Sequence, residues 1–359
     1  MNMKMNDEGE QISDVDFAPD LQARSQLASH KQMKVENDST VVNDFVLLGF
    51  RVSQDLRISL FCLFLLVYCG TICGNLLIIM LVSTSKNLHT PMYFFISQLS
   101  ISDILLPTYI VPNMLYILLN NGGTITFNNC ITQLYFFCSL ESYECVLLAV
   151  MSYDRYLAIC NPLRYTAIMT STYCVKLTIT SWLLGFSVVL IYTITTAKLN
   201  FCGKNIIDHL FCDLFPLLEL ACSDTFIAHL EIYMIGFPIV FIPTTIIVVS
   251  YTNIVLAILR IPSSTGRQKA FSTCSSHLIV VSIFYWTLFG VYVVPTNGLT
   301  LSTSKVLSLL YTVFTPLVNP IIYSLRNKDI WKAAQEIVNK HGIWLARHLK
   351  KSVPSCTGN

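Results

Sequence analysis

The chain has 359 residues, of which 53% are hydrophobic and only 12% charged, with a formal net charge of +2 and a mean hydropathy of +0.59. An ordinary soluble domain carries about 25% charged residues, so this composition excludes a soluble enzyme and a disordered protein and leaves an integral membrane protein as the default. The net charge says nothing about nucleic acid, and no basic cluster suggests such a partner, so none is expected.

Residues 1–57 open the chain. Positions 1–44 hold nine acids and four bases and show no apolar periodicity, which predicts a mostly disordered segment on the outer side of the membrane. A basic stretch leading into an apolar core is missing, so this is not read as a cleavable signal peptide. Asn37-Asp38-Ser39 is an N-glycosylation sequon within it.

From 58 to 325 long apolar runs alternate with short polar gaps. A membrane-spanning helix needs about 20 apolar residues, and seven runs qualify: 58–82, 92–119, 131–157, 175–197, 231–259, 271–295 and 303–325. Pro107 and Pro112 interrupt the second and Pro238 and Pro243 the fifth, which predicts kinks. No internal repeat relates the two halves, which counts against a transporter. The gaps after the first, third and fifth runs carry seven Lys and Arg, and the tail from 326 carries seven more, whereas the other three gaps carry three. That bias places the N-terminus outside and the C-terminus inside. In the tail, 326–359, Ile330, Ala333, Ala334 and Ile337 share one helical face, predicting an amphipathic helix over about 328–340 on the inner membrane surface.

Several residues stand out chemically. Cys130, Cys202, Cys212 and Cys222 lie on the oxidising side, and four cysteines allow three pairings. His209 sits among them, but spacings of ten residues do not suit a zinc site. Asp103, Glu141 and Glu144 are acids inside apolar runs that hold no basic residue at mid-membrane, and an intramembrane carboxyl is a functional candidate by default. At 1.5 Å per residue, Asp103 is about 18 Å in from Pro91 and Glu144 about 21 Å in from Cys130 on the opposite side, so the two share a depth. They stay charged together only with a cation between them; otherwise one holds a proton. Asn75, Ser100 and Asn319 offer further polar contacts there. Asp154-Arg155-Tyr156 closes the third run. No zinc-hydrolase, nucleophile-elbow or phosphate-loop motif is present, so no enzyme is expected.

Taken together, the motifs resemble the odorant (olfactory) receptors within the rhodopsin-like G-protein-coupled receptors. Gly74-Asn75 in the first run and Pro91-Met-Tyr-Phe-Phe-Ile-Ser-Gln-Leu-Ser with Asp103 in the second carry the likeness. So do Met151-Ser-Tyr-Asp-Arg-Tyr-Leu-Ala-Ile-Cys-Asn-Pro-Leu-Arg-Tyr165, Ser250-Tyr251, Lys269-Ala-Phe-Ser-Thr-Cys-Ser-Ser-His-Leu278 and Pro316-Leu-Val-Asn-Pro-Ile-Ile-Tyr-Ser-Leu-Arg-Asn327. The resemblance runs from about Phe45 to Val338. It implies an all-α seven-transmembrane bundle, in the plasma membrane and by family habit in the cilia of olfactory sensory neurons. The implied ligand is a small, mostly apolar odorant. The implied partner is a stimulatory olfactory-type heterotrimeric G protein that raises cyclic AMP.

The resemblance also assigns residues. It pairs Cys130 with Cys212 and Cys202 with Cys222. It makes Asp154, Arg155 and Tyr156, with Tyr251 and Tyr323, the switch facing the G protein, Asp154 holding Arg155 at rest. Asp103 and Glu144 match an acidic pair linked to sodium as a negative allosteric modulator; no cofactor is required. The ligand is expected between helices three, five, six and seven. Helical spacing presents Phe137, Cys138, Glu141, Ser142 and Cys145 from helix three and Ile235 and Ile239 from helix five. Tyr285, Leu288, Phe289 and Tyr292 of helix six and Thr312 of helix seven complete the set. Glu141 keeps an amine ligand in play. The chain departs from the family in its longer N-terminal segment, in Ser152 before Tyr153, and in Trp286, where the family carries glycine; that tryptophan is expected to narrow the pocket or shift a helix contact.

Overall fold

The computed structural model describes residues 42–203, 205–292, 301–327 and 329–336. Spans one to five are Gln54–Thr84, Pro91–Leu119, Phe127–Cys160, Ser171–Ala197 and Phe226–Leu259. The sixth, Ser264–Tyr292, is bent, and the seventh runs from Leu301–Leu309 through a π-turn, Leu310–Phe314, into Thr315–Arg326. Each stretch is long and apolar enough to cross a membrane when the bent sixth is counted as one. A short helix, Pro162–Ile168, follows the third span; another, Leu214–Leu220, lies in the loop between spans four and five.

Burial sorts the spans by role. In the third, 72% of the most apolar stretch is buried, against 11% in the fifth, so the third is the axis and the fifth lies at the rim. The fourth packs on that axis backbone to backbone: a Cβ on Gly185 would stand 2.8 Å from the Tyr143 backbone nitrogen, the close approach that small residues allow between membrane helices. Beside it Trp182 stacks on Tyr143 with ring centroids 4.0 Å apart. In the seventh span Pro320 has no N–H to offer the carbonyl of Pro316 four residues back. The side chain of Asn75 donates to that carbonyl instead, at 3.0 Å.

One end of the bundle is closed by strands and disulfides. Strand β1, Asp44–Leu47, pairs antiparallel with β2, Gly123–Thr126, and parallel with β3, Ile206–Ile207, in the order β2-β1-β3. Cys130 is bonded to Cys212 and Cys202 to Cys222. The amine of Lys305, buried at the start of the seventh span, donates to the Gly49 carbonyl at 2.9 Å and to Asp208 at 2.5 Å. Three chain segments distant in sequence are thereby tied into one lid.

One expectation needs correction. Residues 1–57 are not uniformly without structure: residues 44–47 form the central lid strand, Phe45 and Leu47 are fully buried, and the first span already begins at Gln54. Pairing on both edges and an apolar slot under the loop stabilise a strand that composition alone does not reveal. Residues 1–41, with Asn37, lie outside the described residues. The tail is helical over 329–336, as the spacing of its apolar residues suggests; Ile330 and Ala333 are buried in the bundle core and Ala334 packs against it. Asn327 starts this helix, its side-chain oxygen accepting from the backbone N–H groups of Asp329 and Ile330. Tyr93 of the second span holds both Asn327 and Asp329, at 3.0 and 3.1 Å. Ile337 is outside the described residues.

Candidate ligand site and switch

Beneath the lid lies a cavity of about 140 Å3. Cys138, Glu141, Ser142 and Cys145 come from the third span, Ile239 from the fifth, and Leu288 and Phe289 from the sixth. These seven are where helical periodicity puts them. The loop supplies the roof with Asp213, Leu214 and Phe215, and Tyr192 of the fourth span adds a further wall. Ile232, Gly236, Phe237, Val240 and Phe241 complete the fifth-span side.

Asp213 is held there by geometry on both sides. Its neighbour Cys212 is bonded to Cys130, and the backbone N–H of Cys212 donates to the Gln133 side chain at 3.0 Å. Gln133 in turn donates to the Tyr109 carbonyl, at 2.9 Å. Asp213 Oδ1 accepts from the Leu214 N–H at 2.7 Å and so caps the loop helix. Burial pushes its carboxyl up to about 6, against the pull of that hydrogen bond. Four residues earlier, burial presses His209 down to about 4, and the nearby Lys305 charge acts the same way. Its ring meets Phe211 edge-on at 4.7 Å.

At the opposite end, Asp154 and Arg155 form a buried ion pair. The hydroxyl of Tyr165, on the short helix after the third span, donates to the other oxygen of Asp154 at 2.8 Å. Arg155 lies within Coulombic reach of Tyr251 and Tyr323. Tyr251 is itself joined to His277 of the sixth span, oxygen to Nδ1 at 2.7 Å. Tyr156 is half-buried and stacks on Tyr153, with centroids 6.4 Å apart. Midway along the bundle, Asn319 donates to both oxygens of Asp103, at 3.0 and 3.1 Å. Glu144 is close enough to repel Asp103, and its buried carboxyl lies beside the buried Ser102 hydroxyl. Asn75 Oδ1 is buried unpartnered.

A seven-span bundle with this arrangement has many relatives. The Olfactory receptor family model matches residues 61–341. The chain belongs to the olfactory receptor family. It is 45% identical to Olfactory receptor 11L1 of Homo sapiens over 86% of this chain and 95% of that one. It is 43% identical to Olfactory receptor 1500 of Rattus norvegicus over 84% and 97%. In fold it is similar to squid rhodopsin, with a TM-score of 0.60 at 18% identity over 80% of this chain and 86% of that one. It is therefore a multi-pass plasma-membrane receptor and not an enzyme, with a small-molecule ligand and a G protein as its classes of partner.

Within the receptor, some expected pocket residues lie elsewhere. Phe137 is fully buried between Phe211 and Tyr311, at centroid distances of 5.3 and 5.8 Å. Thr312 is fully buried and its hydroxyl returns to the Ser308 carbonyl. Tyr285 is outside the lining, its hydroxyl donating to the Cys145 carbonyl at 3.4 Å. Ile235 faces a separate apolar groove beside Leu184 and Pro238. The expected pair Ile235 and Ile239 assumes α spacing, but residues Ile232–Gly236 form a π-turn. The extra residue in that turn rotates the preceding side chains by about 100°. The Tyr292 side chain lies outside the described residues. Trp286 does not narrow the pocket; it is 78% exposed on the bundle's outer surface. Of the residues that periodicity missed, Asp213 alone had a signal: it directly follows a cysteine whose partner heads the third span.

Proposed function

We propose that the receptor binds a small, mostly apolar odorant in the cavity beneath the lid and answers by activating a stimulatory olfactory-type G protein, which raises cyclic AMP. The observation that carries this reading is the pairing of two sites on one central helix. The third span carries Glu141 and Cys145 in the cavity wall and Asp154 and Arg155 at its far end. A ligand shifts such a bundle only by binding the active arrangement more tightly. The lid faces outside and the Asp154–Arg155 end faces the cytoplasm, in line with the bias of basic residues, and the cilia of olfactory neurons are the proposed location. On the inner face Leu163, 96% exposed, stands beside the Asp154–Tyr165 contact as a docking point for the G protein.

The buried oxygens of Glu144 and Ser102 suit a hard cation. Asp103 and Glu144 are thus proposed to hold sodium in the resting receptor, with Asn319 steadying Asp103. A proton shared between the two acids is the competing account. Asn37 is proposed to carry glycan.

The test is a panel of volatile and water-soluble odorants on cells expressing the full chain, with cyclic AMP measured. Arg155→Ala is expected to abolish the response while surface expression persists; a normal response would refute the switch. Raising sodium at constant ionic strength is expected to right-shift agonist curves, and Glu144→Gln to remove that shift. A response indifferent to sodium leaves the shared proton.

A further inference from the structure

We propose that the ligand of this receptor is a small organic cation, an ammonium group on an apolar body, gripped between Glu141 and Asp213. The inference rests on the reading of the cavity as the ligand site and narrows it to a chemical class. The two carboxyls reach the same cavity from different elements, one from the middle of the third span and one from the loop that roofs it. Glu141 is 7% exposed and accepts no hydrogen bond among the described residues. Asp213 is 5% exposed; it uses Oδ1 on the Leu214 N–H and leaves Oδ2 without a partner among the described residues. No Lys, Arg or His lines the cavity among the described residues. The two acids are close enough to repel each other.

Buried charges are retained where something pairs with them. Among the described residues the protein supplies no cation here, so the complement is a proton or a cation that arrives with the ligand and displaces it. A neutral hydrocarbon or an anion leaves both carboxyls unmatched. A hard divalent ion wants six or more oxygen ligands, and two carboxylates in an apolar wall do not furnish them; among the described residues no cluster has metal-ligand geometry. An ammonium has three N–H donors and no acceptor, enough for Glu141, Asp213 and the Ser142 hydroxyl that lines the same cavity. The rest of the lining is apolar, with Ile239, Leu288 and Phe289 suited to a hydrocarbon body. At about 140 Å3 the space is of a size for a small molecule. The carboxyl of Asp213, raised only to about 6, is ionised at neutral pH and available to the cation.

The experiment uses the purified full chain in lipid nanodiscs. Matched triplets share one carbon skeleton, for example cyclohexylamine, cyclohexanol and cyclohexanone, alongside further aliphatic and aromatic sets. Binding is read by ligand-induced thermal stabilisation, and cyclic AMP is read in cells. Amines are expected to bind, and their neutral counterparts to bind far more weakly. Glu141→Gln and Asp213→Asn are each expected to weaken amine binding about thirty-fold or more. Both variants keep the shape of the side chain, and the amide oxygen introduced by Asp213→Asn can still cap the loop helix. A third variant, Leu288→Trp, fills the cavity and separates the two levels of the argument. If alcohols or ketones bind as well as amines, tolerate both carboxyl variants and are lost in Leu288→Trp, the cation is overturned and the site stands. Ligands that survive Leu288→Trp overturn the site itself. A panel in which no amine binds the native receptor overturns the cation as well.

Discussion

The two ends of the third span treat their buried charges in opposite ways. At the end away from the lid Asp154 is fully engaged, one oxygen by Arg155 and the other by Tyr165, and Tyr251 is tied to His277 nearby. At the lid end Glu141 has no partner among the described residues and Asp213 has one oxygen to spare. The first arrangement is a latch, in which protein groups satisfy each other and a rearrangement must break something. The second, on the reading proposed above, is a receptacle, in which the cost of burying charge is relieved by a molecule from outside. The contrast teaches that an ion pair and an orphan charge on one helix can be complementary halves of a switch.

The latch gives the largest expected effect. Asp154→Ala leaves the guanidinium of Arg155 buried and unpaired, which costs about 3–5 kcal/mol. Basal cyclic AMP should rise above that of the native receptor, and a mutant with unchanged basal signalling would show that Asp154 holds nothing in place. Next comes the lid. Cys130→Ser removes the bond to Cys212 that carries Asp213 to the cavity, a loss of about 2–5 kcal/mol. Surface expression should fall, and the receptor that remains should bind no ligand.

The unmatched carboxyl permits a sharper test. The Asp213 carboxyl lies near 6 in the folded chain against an ordinary 3.8. The folded state therefore binds more protons between those values. The stability this contributes is present below about pH 4 and is lost as pH rises through 6. At neutral pH the charged side chain costs up to about 3 kcal/mol. Asp213→Asn should accordingly raise the unfolding temperature of the ligand-free receptor at neutral pH, with the gain vanishing at acid pH, while binding weakens. A variant less stable than the native chain at neutral pH would contradict this account.

The smallest effect concerns His209, where the sign reverses. Its folded value of about 4 lies below the ordinary 6.5. Its contribution is thus full above 6.5 and is lost as pH falls toward 4. Hydrogen exchange in the loop around Phe211 should quicken over that window, and His209→Phe should suppress the quickening. The net change is expected to be small in the native receptor, because protonation of Asp213 acts in the opposite direction over nearly the same range.

The spans and much of the cavity wall were legible in the residues alone, and resemblance marked Asp154 and Arg155. Apolar runs of membrane length read as helices because no other structure satisfies the backbone in lipid. Within a regular helix the spacing of Cys138, Glu141, Ser142 and Cys145 defines one face. The disulfide pairing followed from resemblance, since four cysteines on one side of a membrane admit three pairings.

Tertiary structure decided the rest. The π-turn at Ile232–Gly236 turned Ile235 away from the cavity while Ile239 stayed in it, because one added residue breaks the periodicity on which the reading depends. Phe137 and Thr312 stand on plausible faces, but aromatic neighbours and a backbone carbonyl claim them first. Residues 44–47 look like a disordered segment until strands from two other loops pair with them. Asp213 became a cavity residue only when the loop folded back over the third span. A local pattern fixes which side of a helix a residue occupies; what lies opposite that side is set by segments far away in the chain, and this is why the sequence determined the helices and their polar anchors while packing alone brought Asp213 to Glu141.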